Sequence, residues 1–174
     1  MVNQNDSESV RQKALDDLHV LDTLEEQAYD DITRMAAYVC GTPIALISLS
    51  DHERQWFKSR VGLQVAQIPR EHGFCDTACR VPHKVMIVED TLKDERFATH
   101  PLVTHDPYFR FYAGAPLLTA GGHAIGTICV IDNEPRKLNS GQLDELQFLA
   151  QQVIVMLESR LGVVTVNQSE PRHR

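Results

Sequence analysis

The feature that most constrains the fold is a pair of apolar segments that do not alternate cleanly. FRFYAGAPLLTA (109–120) and HAIGTICVID (123–132) carry the β-branched, aromatic and small residues of strands. Gly121-Gly122 joins them and tolerates the positive φ of a tight hairpin turn. In the second segment Ile125, Cys129 and Ile131 fall on one face and Ala124, Ile128 and Val130 on the other. A sheet that is apolar on both faces must be covered on both. The fold class expected is therefore α+β, and the rest of the chain has to supply two covering layers.

One layer comes from helices near the two ends. Val10, Ala14 and Leu18, with Leu15 beside them, make an apolar stripe that predicts a helix from about Ser9 to His19. Thr23 and Glu26 match a T-x-x-E capping box that would open a second helix carrying Ala28, Ile32, Met35, Ala36 and Val39, ended by Gly41 and Pro43. Leu143, Leu146, Leu149, Ala150, Val153, Leu157 and Leu161 run down one side of a long last helix. It starts near Asn139–Gly141, where Gln142 can complete a cap. Residues 1–8 and 163–174 are polar and without apolar periodicity, and are expected as tails around one domain, 9–162.

The middle is strand-rich. PIALISLSD (43–51) and RQWFKSRVG (54–62) read as a hairpin, and VMIVED (85–90) as a short further strand. The connection from Gly62 to Pro107 holds only that one short strand and is too long for an idle loop. It is the candidate for the second layer, and a layer laid over a sheet is a natural place for a pocket.

The charge balance narrows the partners. Lys and Arg total 17 against 24 Asp and Glu, a net charge of -7, with no basic cluster to meet a phosphate backbone, so nucleic-acid binding is not expected. No apolar run approaches the roughly 20 residues that span a bilayer. The acidic, polar N-terminal residues do not read as a signal peptide, so a cytoplasmic protein with reduced thiols is expected. Four cysteines are too few for a disulfide scaffold at this length.

Taken together, LDTLEEQAYDDIT, IALISLSDHERQWFKSRVGL, PREHGFC, VEDTLKDERFATHPLV, RFYAGAPL and GHAIGTICVIDNEPRKL, in that order, resemble the GAF domain, a small-molecule-sensing module of signalling proteins. The resemblance runs from about Leu21 to Arg160 and is nearest to modules at the N-terminus of bacterial sensor histidine kinases and diguanylate cyclases. It implies a central antiparallel sheet of about six strands, with terminal helices on one face and a ligand pocket covered by helices and loops on the other. It also implies a homodimer through the terminal helices. The output would be a kinase, cyclase or other domain, on the same chain or as a separate partner. Phosphodiesterase GAF domains carry an Asn-Lys dipeptide that is missing here, which argues against a cyclic-nucleotide ligand. The ligand and any cofactor stay unknown.

Candidate ligand-binding residues are Trp56, Phe74, Cys75, Cys79, Asp94, Phe97, Arg110, Tyr112 and Gly114. Tyr112 and Gly114 share a strand face with Arg110, and a glycine in a central strand signals close approach by something. Asp94 reads either as a polar anchor at the rim or as an ion-pair partner of Arg96 or Arg110; Phe97 points inward under both readings. Trp56, the only tryptophan, is a candidate for stacking and shares a face with Lys58, opposite Phe57. HGFCDTACRVPH (72–83) offers three readings. His72, Cys75, Cys79 and His83 suit zinc by residue type but lack a second cysteine pair. Cys75 and Cys79 fall i, i+4 on a helix and suit a redox pair, which would make the chain an enzyme like the free methionine sulfoxide reductases, or a thiol sensor. The reading preferred is pocket wall, with Phe74-Cys75 opening the segment, no metal and no catalysis.

Overall fold

The computed structural model of the chain describes residues 4–168, with side chains described as far as residue 161. Its strands are β1 (Ile44–Ser50), β2 (Arg54–Val61), β3 (Gln67–Pro69), β4 (Met86–Val88), β5 (Phe111–Leu118) and β6 (Ala124–Asp132). They form one six-stranded sheet in the order β3-β2-β1-β6-β5-β4, antiparallel at every pair. The helices are α1 (Gln4–Asp16), α2 (Gln27–Cys40), two short ones, α3 (Cys75–Cys79) and α4 (Pro101–Thr104), and the long α5 (Ser140–Gln168).

The sheet is buried on both faces. On one, Ala45, Ile47 and Leu49 of β1 and Phe111, Ala113, Ala115 and Leu117 of β5 pack with Leu15, Tyr29, Ala36 and the α5 stripe Leu146, Leu149, Ala150, Val153 and Leu157. Ala113 and Ala115 keep that face low where α5 lies on it. On the other, Ile44, Leu46, Phe57, Tyr112, Cys129 and Ile131 meet Phe74, Ala78, Phe97, Val103 and Phe109 from the 62–109 connection. That connection supplies β3, α3, β4, α4 and two 3-10 turns, Arg70–His72 and Thr91–Lys93.

Two bulges decide which side chains face which layer. Between β5 and β6, Pro116 pairs with Thr127 but Leu118 with Ala124, so β6 carries one extra residue. The extra residue turns Ile125 onto the helix face, whereas strict alternation puts it with Cys129 and Ile131. Gly126 sits at this bulge because a Cβ there would lie 2.0 Å from the Ser48 carbonyl oxygen. Between β1 and β2, Ile47 pairs with Ser59 and Ser48 with Phe57, leaving Lys58 as the extra residue. Both Lys58 and Ser59 then reach toward α2, Ser59 Oγ donating to Asp30 Oδ1 at 2.6 Å.

Helix ends are satisfied in part as the sequence suggests. Gly41 takes a left-handed φ of 65° and closes α2 through bonds to the Ala37 and Tyr38 carbonyls. Asn139 and Gln142 exchange side-chain-to-backbone bonds of 2.8 and 2.9 Å at the start of α5. The Thr23–Glu26 capping box does not form. Glu26 itself precedes α2, without a side-chain cap, because its carboxylate and the Thr23 hydroxyl are both drawn to Lys58.

Lys58 has no exposed side-chain surface; its Nζ reaches Glu26 Oε2 at 2.5 Å, Thr23 Oγ1 at 2.8 Å and the Leu24 carbonyl at 2.6 Å. Glu26 also accepts from Arg160 Nη1 of α5 at 2.9 Å. The first helix starts at Gln4 rather than Ser9, since Glu8 pairs with Arg11 at 2.8 Å and with Arg70 at 2.7 Å. The backbone of α5 continues to Gln168, into the expected C-terminal tail; residues 169–174 of that tail, and 1–3 of the N-terminal one, lie outside the described residues.

The Lys58 cluster generates a prediction. Glu26→Ala would leave a buried ammonium without its counter-charge, lowering stability by about 1–3 kcal/mol, less than for a fully buried pair because Glu26 is partly exposed. Urea denaturation of the variant, and of the double variant Lys58→Met with Glu26→Ala, would read it. The double variant should recover part of the loss.

Candidate functional site

A cavity of about 430 Å³ lies between the sheet and the 62–109 layer. Its floor is formed by Leu46 and Ser48 of β1, Gln55 and Phe57 of β2, Tyr112 of β5, and Thr127, Cys129 and Ile131 of β6. Its roof is Leu63, Gln64 and Val65 from the β2–β3 loop, Ile68, the stretch His72–Cys75, Leu102, Pro107 and Phe109. Floor positions alternate along each strand, as they must for side chains on one sheet face. Among the described residues, the lining contains no Lys, Arg, Asp or Glu.

The polar atoms gather at one region of the floor. Gln55 Oε1 accepts from Ser48 Oγ at 3.0 Å and lies 3.1 Å from Ser50 Oγ; its Nε2 lies 3.0 Å from Ser50 Oγ and 3.4 Å from Asp76 Oδ1. Gln55 is thus fully engaged within the protein. Tyr112 Oη and Thr127 Oγ1 are 3.4 Å apart, beyond the usual 2.5–3.0 Å of an O–H···O bond. Burial pushes the Tyr112 phenol well above its ordinary pKa, so the hydroxyl keeps its proton.

Both cysteines of the 72–83 segment sit on α3 but face different ways. Cys75 is buried in the cavity wall, 3.5 Å from Ser50 Oγ. Cys79 lies behind it against the Gly126 carbonyl at 3.4 Å and lines a separate surface cleft with Arg11 and Arg70. Hydrogen bonding from Cys79 lowers the Cys75 thiol, with burial opposing, while the same contact and burial push Cys79 well above its ordinary value. Burial also raises Cys129 to about 12 and Cys40 to about 11. Among the described residues, no three His, Cys, Asp or Glu side chains converge on a point that could hold a metal ion.

Of the candidate ligand-binding residues, Phe74, Cys75 and Tyr112 line the cavity together and the others do not; of the four residues of the zinc reading, His72 and Cys75 line it and Cys79 and His83 do not. Trp56 faces the helices, because the β2 face opposite the 62–109 layer is the one that carries it; the ring at the cavity is its neighbour Phe57. Phe97 packs on Phe74 from behind, ring centroids 4.4 Å apart. Asp94 is held by Arg96 through bonds of 2.7 and 3.0 Å, and Asp90 accepts from the Leu92 amide, so this acidic stretch ties its own turns. Arg110 donates to the Val103 and Phe109 carbonyls at 2.8 and 3.1 Å, pinning the α4 segment.

Gly114 has a different reason for being small. A Cβ there would lie 2.3 Å from Tyr112 Oη, so the close neighbour is the protein's own phenol, laid along the strand.

A six-stranded antiparallel sheet with helices on one face and a mostly apolar cavity on the other defines a class of small α+β modules. Residues 25–157 match the family model described as "GAF domain", and the chain belongs to that family. Over 131 residues it is 44% identical to a cyclic di-GMP phosphodiesterase of Pseudomonas aeruginosa, a match that spans 75% of this chain and 22% of that protein's length. Among solved structures it is similar to the GAF domain of an Acinetobacter phosphoenolpyruvate-protein phosphotransferase (TM-score 0.64, 15% identity, covering 95% of this chain and 99% of that one). It is also similar to a type II free methionine-R-sulfoxide reductase from Thermoplasma acidophilum (TM-score 0.59, 11% identity, covering 88% and 96%). At these identities the two structures share the fold alone.

The floor residues Ser48, Gln55, Phe57 and Thr127 are not singled out by the sequence. Their signal is parity: each alternates with a neighbour on the helix face, but choosing the face requires knowing which layer covers it. Gly114→Ala should displace the Tyr112 ring and destabilise the domain by about 1–3 kcal/mol, as overpacking does. Thermal denaturation would read this, and the loss should shrink in the double variant with Tyr112→Leu, which removes the clashing hydroxyl.

Proposed function

We propose that the chain is a regulatory small-molecule-sensing module, without catalysis of its own, whose cavity is the ligand site. The observation that carries this is the placement of the cavity: its wall and the terminal helices share one strand. Phe57 lines the cavity; the next residue, Lys58, crosses to the opposite face and binds Glu26, which also binds Arg160 of α5. A ligand that prefers one position of the β2 wall would therefore bias the start of α2 and the far end of α5. The similarity to part of a cyclic di-GMP phosphodiesterase supports a place in signalling, with the output carried by another domain or by a separate kinase or cyclase partner.

Exposed apolar residues on α2 (Met35, Tyr38) and α5 (Phe148, Val155) support a homodimer through these helices. The module would work in the cytoplasm; among the described residues, no helix is long and apolar enough to cross a membrane. Spin labels at Ser9 and Ser159 would test the switch. Compounds that raise the melting temperature should change the distance distribution between labelled helices, and an unchanged distribution with a raised melting temperature would defeat the idea.

One observation favours a second reading: Cys75, the more acidic of a contacting thiol pair, is in the cavity wall. Under it, protein incubated with free methionine sulfoxide and a thiol reductant would release methionine, and Cys75→Ser would abolish the release. The preferred reading expects no turnover.

A further inference from the structure

The cavity's chemistry says more about its occupant than that one exists. Three guanidinium groups of the 62–110 segment are committed elsewhere. Arg70 binds Glu8 and Asp76, Arg110 binds two backbone carbonyls, and Arg96 binds Asp94. Among the described residues, His72 is the only imidazole in the lining, part-exposed at the mouth with its Nε2 3.6 Å from the Glu71 carboxylate. His100 lies behind Phe74, 4.9 Å between ring centroids, and burial lowers its pKa so that it stays neutral.

An anionic group carried into this space would give up part of its hydration and meet no guanidinium or ammonium of the lining in return, a desolvation cost with no counter-charge. A cation would be in the same position, with no carboxylate among the described lining residues. The walls instead offer Leu46, Phe57, Phe74, Phe109 and Ile131, surfaces that favour an apolar body.

Within this apolar space one polar feature has unused capacity. Gln55, Ser48 and Ser50 satisfy one another. Tyr112 Oη and Thr127 Oγ1 are served less well: each is in a residue at most 2% exposed, they stand 3.4 Å apart, and their other partners are thiols, Cys129 for both and Cys75 for Thr127, which bond weakly. A ligand oxygen between them could accept from one hydroxyl and donate to, or accept from, the other at normal distances. Two buried hydroxyls held only by a long contact and by thiols have capacity left for a better oxygen partner.

From the uncharged lining and this hydroxyl pair we infer that the site takes an uncharged, predominantly apolar small molecule bearing one hydroxyl or carbonyl group, which is anchored by Tyr112 and Thr127. The inference rests on the sensing-site reading above and specifies its ligand class. It excludes phosphate-bearing ligands, cyclic dinucleotides among them, from this cavity.

Isothermal titration of the whole chain with four probes tests it: 2-naphthol, naphthalene, 2-naphthoate and cyclic di-GMP. The expected order is 2-naphthol tightest, naphthalene on the order of tenfold weaker for want of one hydrogen bond, 2-naphthoate weaker than naphthalene, and cyclic di-GMP silent. Tyr112→Phe, which removes a single atom, should erase the advantage of 2-naphthol over naphthalene. Thr127→Val should reduce the same advantage, and serves if the first variant folds poorly. If 2-naphthoate binds more tightly than 2-naphthol, or cyclic di-GMP saturates the protein, the ligand class is wrong while the sensing cavity stands. The ligand class is also wrong if the 2-naphthol advantage survives both variants. If none of the four binds, the cavity reading itself falls, and this inference with it.

Discussion

Burial of one antiparallel sheet on both faces is the constraint from which the rest of this structure follows. Antiparallel sheets can leave one face to water, and when they do their strands alternate polar with apolar. Here β1, β5 and β6 present apolar side chains in both directions, so neither face tolerates solvent. Helices from both ends of the chain cover one face, and the connection between β2 and β5 is obliged to cover the other. Short elements and turns cannot fill a sheet face as a straight helix does. The gap they leave, lined by the sheet's second apolar face, is the cavity.

A second dependency is electrostatic. Lys58 is a buried ammonium, admissible only with a counter-charge and full hydrogen bonding. Glu26, Thr23 and Leu24 supply both, and in doing so they set where α2 begins and bring Arg160 of α5 to the same carboxylate. One bulge in β2 makes this possible by letting Lys58 and Ser59 both point toward the helices. The same strand keeps Phe57 in the cavity. Cavity wall and helix anchor are therefore adjacent residues on opposite faces of one strand.

The site is legible unevenly in the sequence. Phe74 and Cys75 stand out by residue type and by their place in the segment over the sheet, and Tyr112 by its amphipathic ring on a central strand. Trp56 is not distinguished from Phe57, since alternation says only that the two face apart. Gly114 signals close approach correctly, but the neighbour is Tyr112 and not a ligand, and two residues of one strand give no hint of that. Asp94 and Arg110 are polar groups that close local turns, a role that local sequence supports as well as it supports binding. The extra residues in β2 and β6 leave no mark in composition, so alternation alone assigns Ile125 to the wrong face.

The sequence by itself determined the fold class, the order of the main elements, the need for two covering layers and the segment that had to form the second, because hydrophobic periodicity and chain length are local quantities. Tertiary structure alone decided which face of each strand meets the cavity, which carboxylate answers Lys58, and that the described cavity lining carries no carboxylate, guanidinium or ammonium. Those outcomes depend on strand register and on ion pairs between residues far apart in the chain, such as Arg70 with Glu8 and Glu26 with Arg160. A one-residue bulge or a long-range pairing changes no local pattern, yet it moves a side chain from one layer to the other.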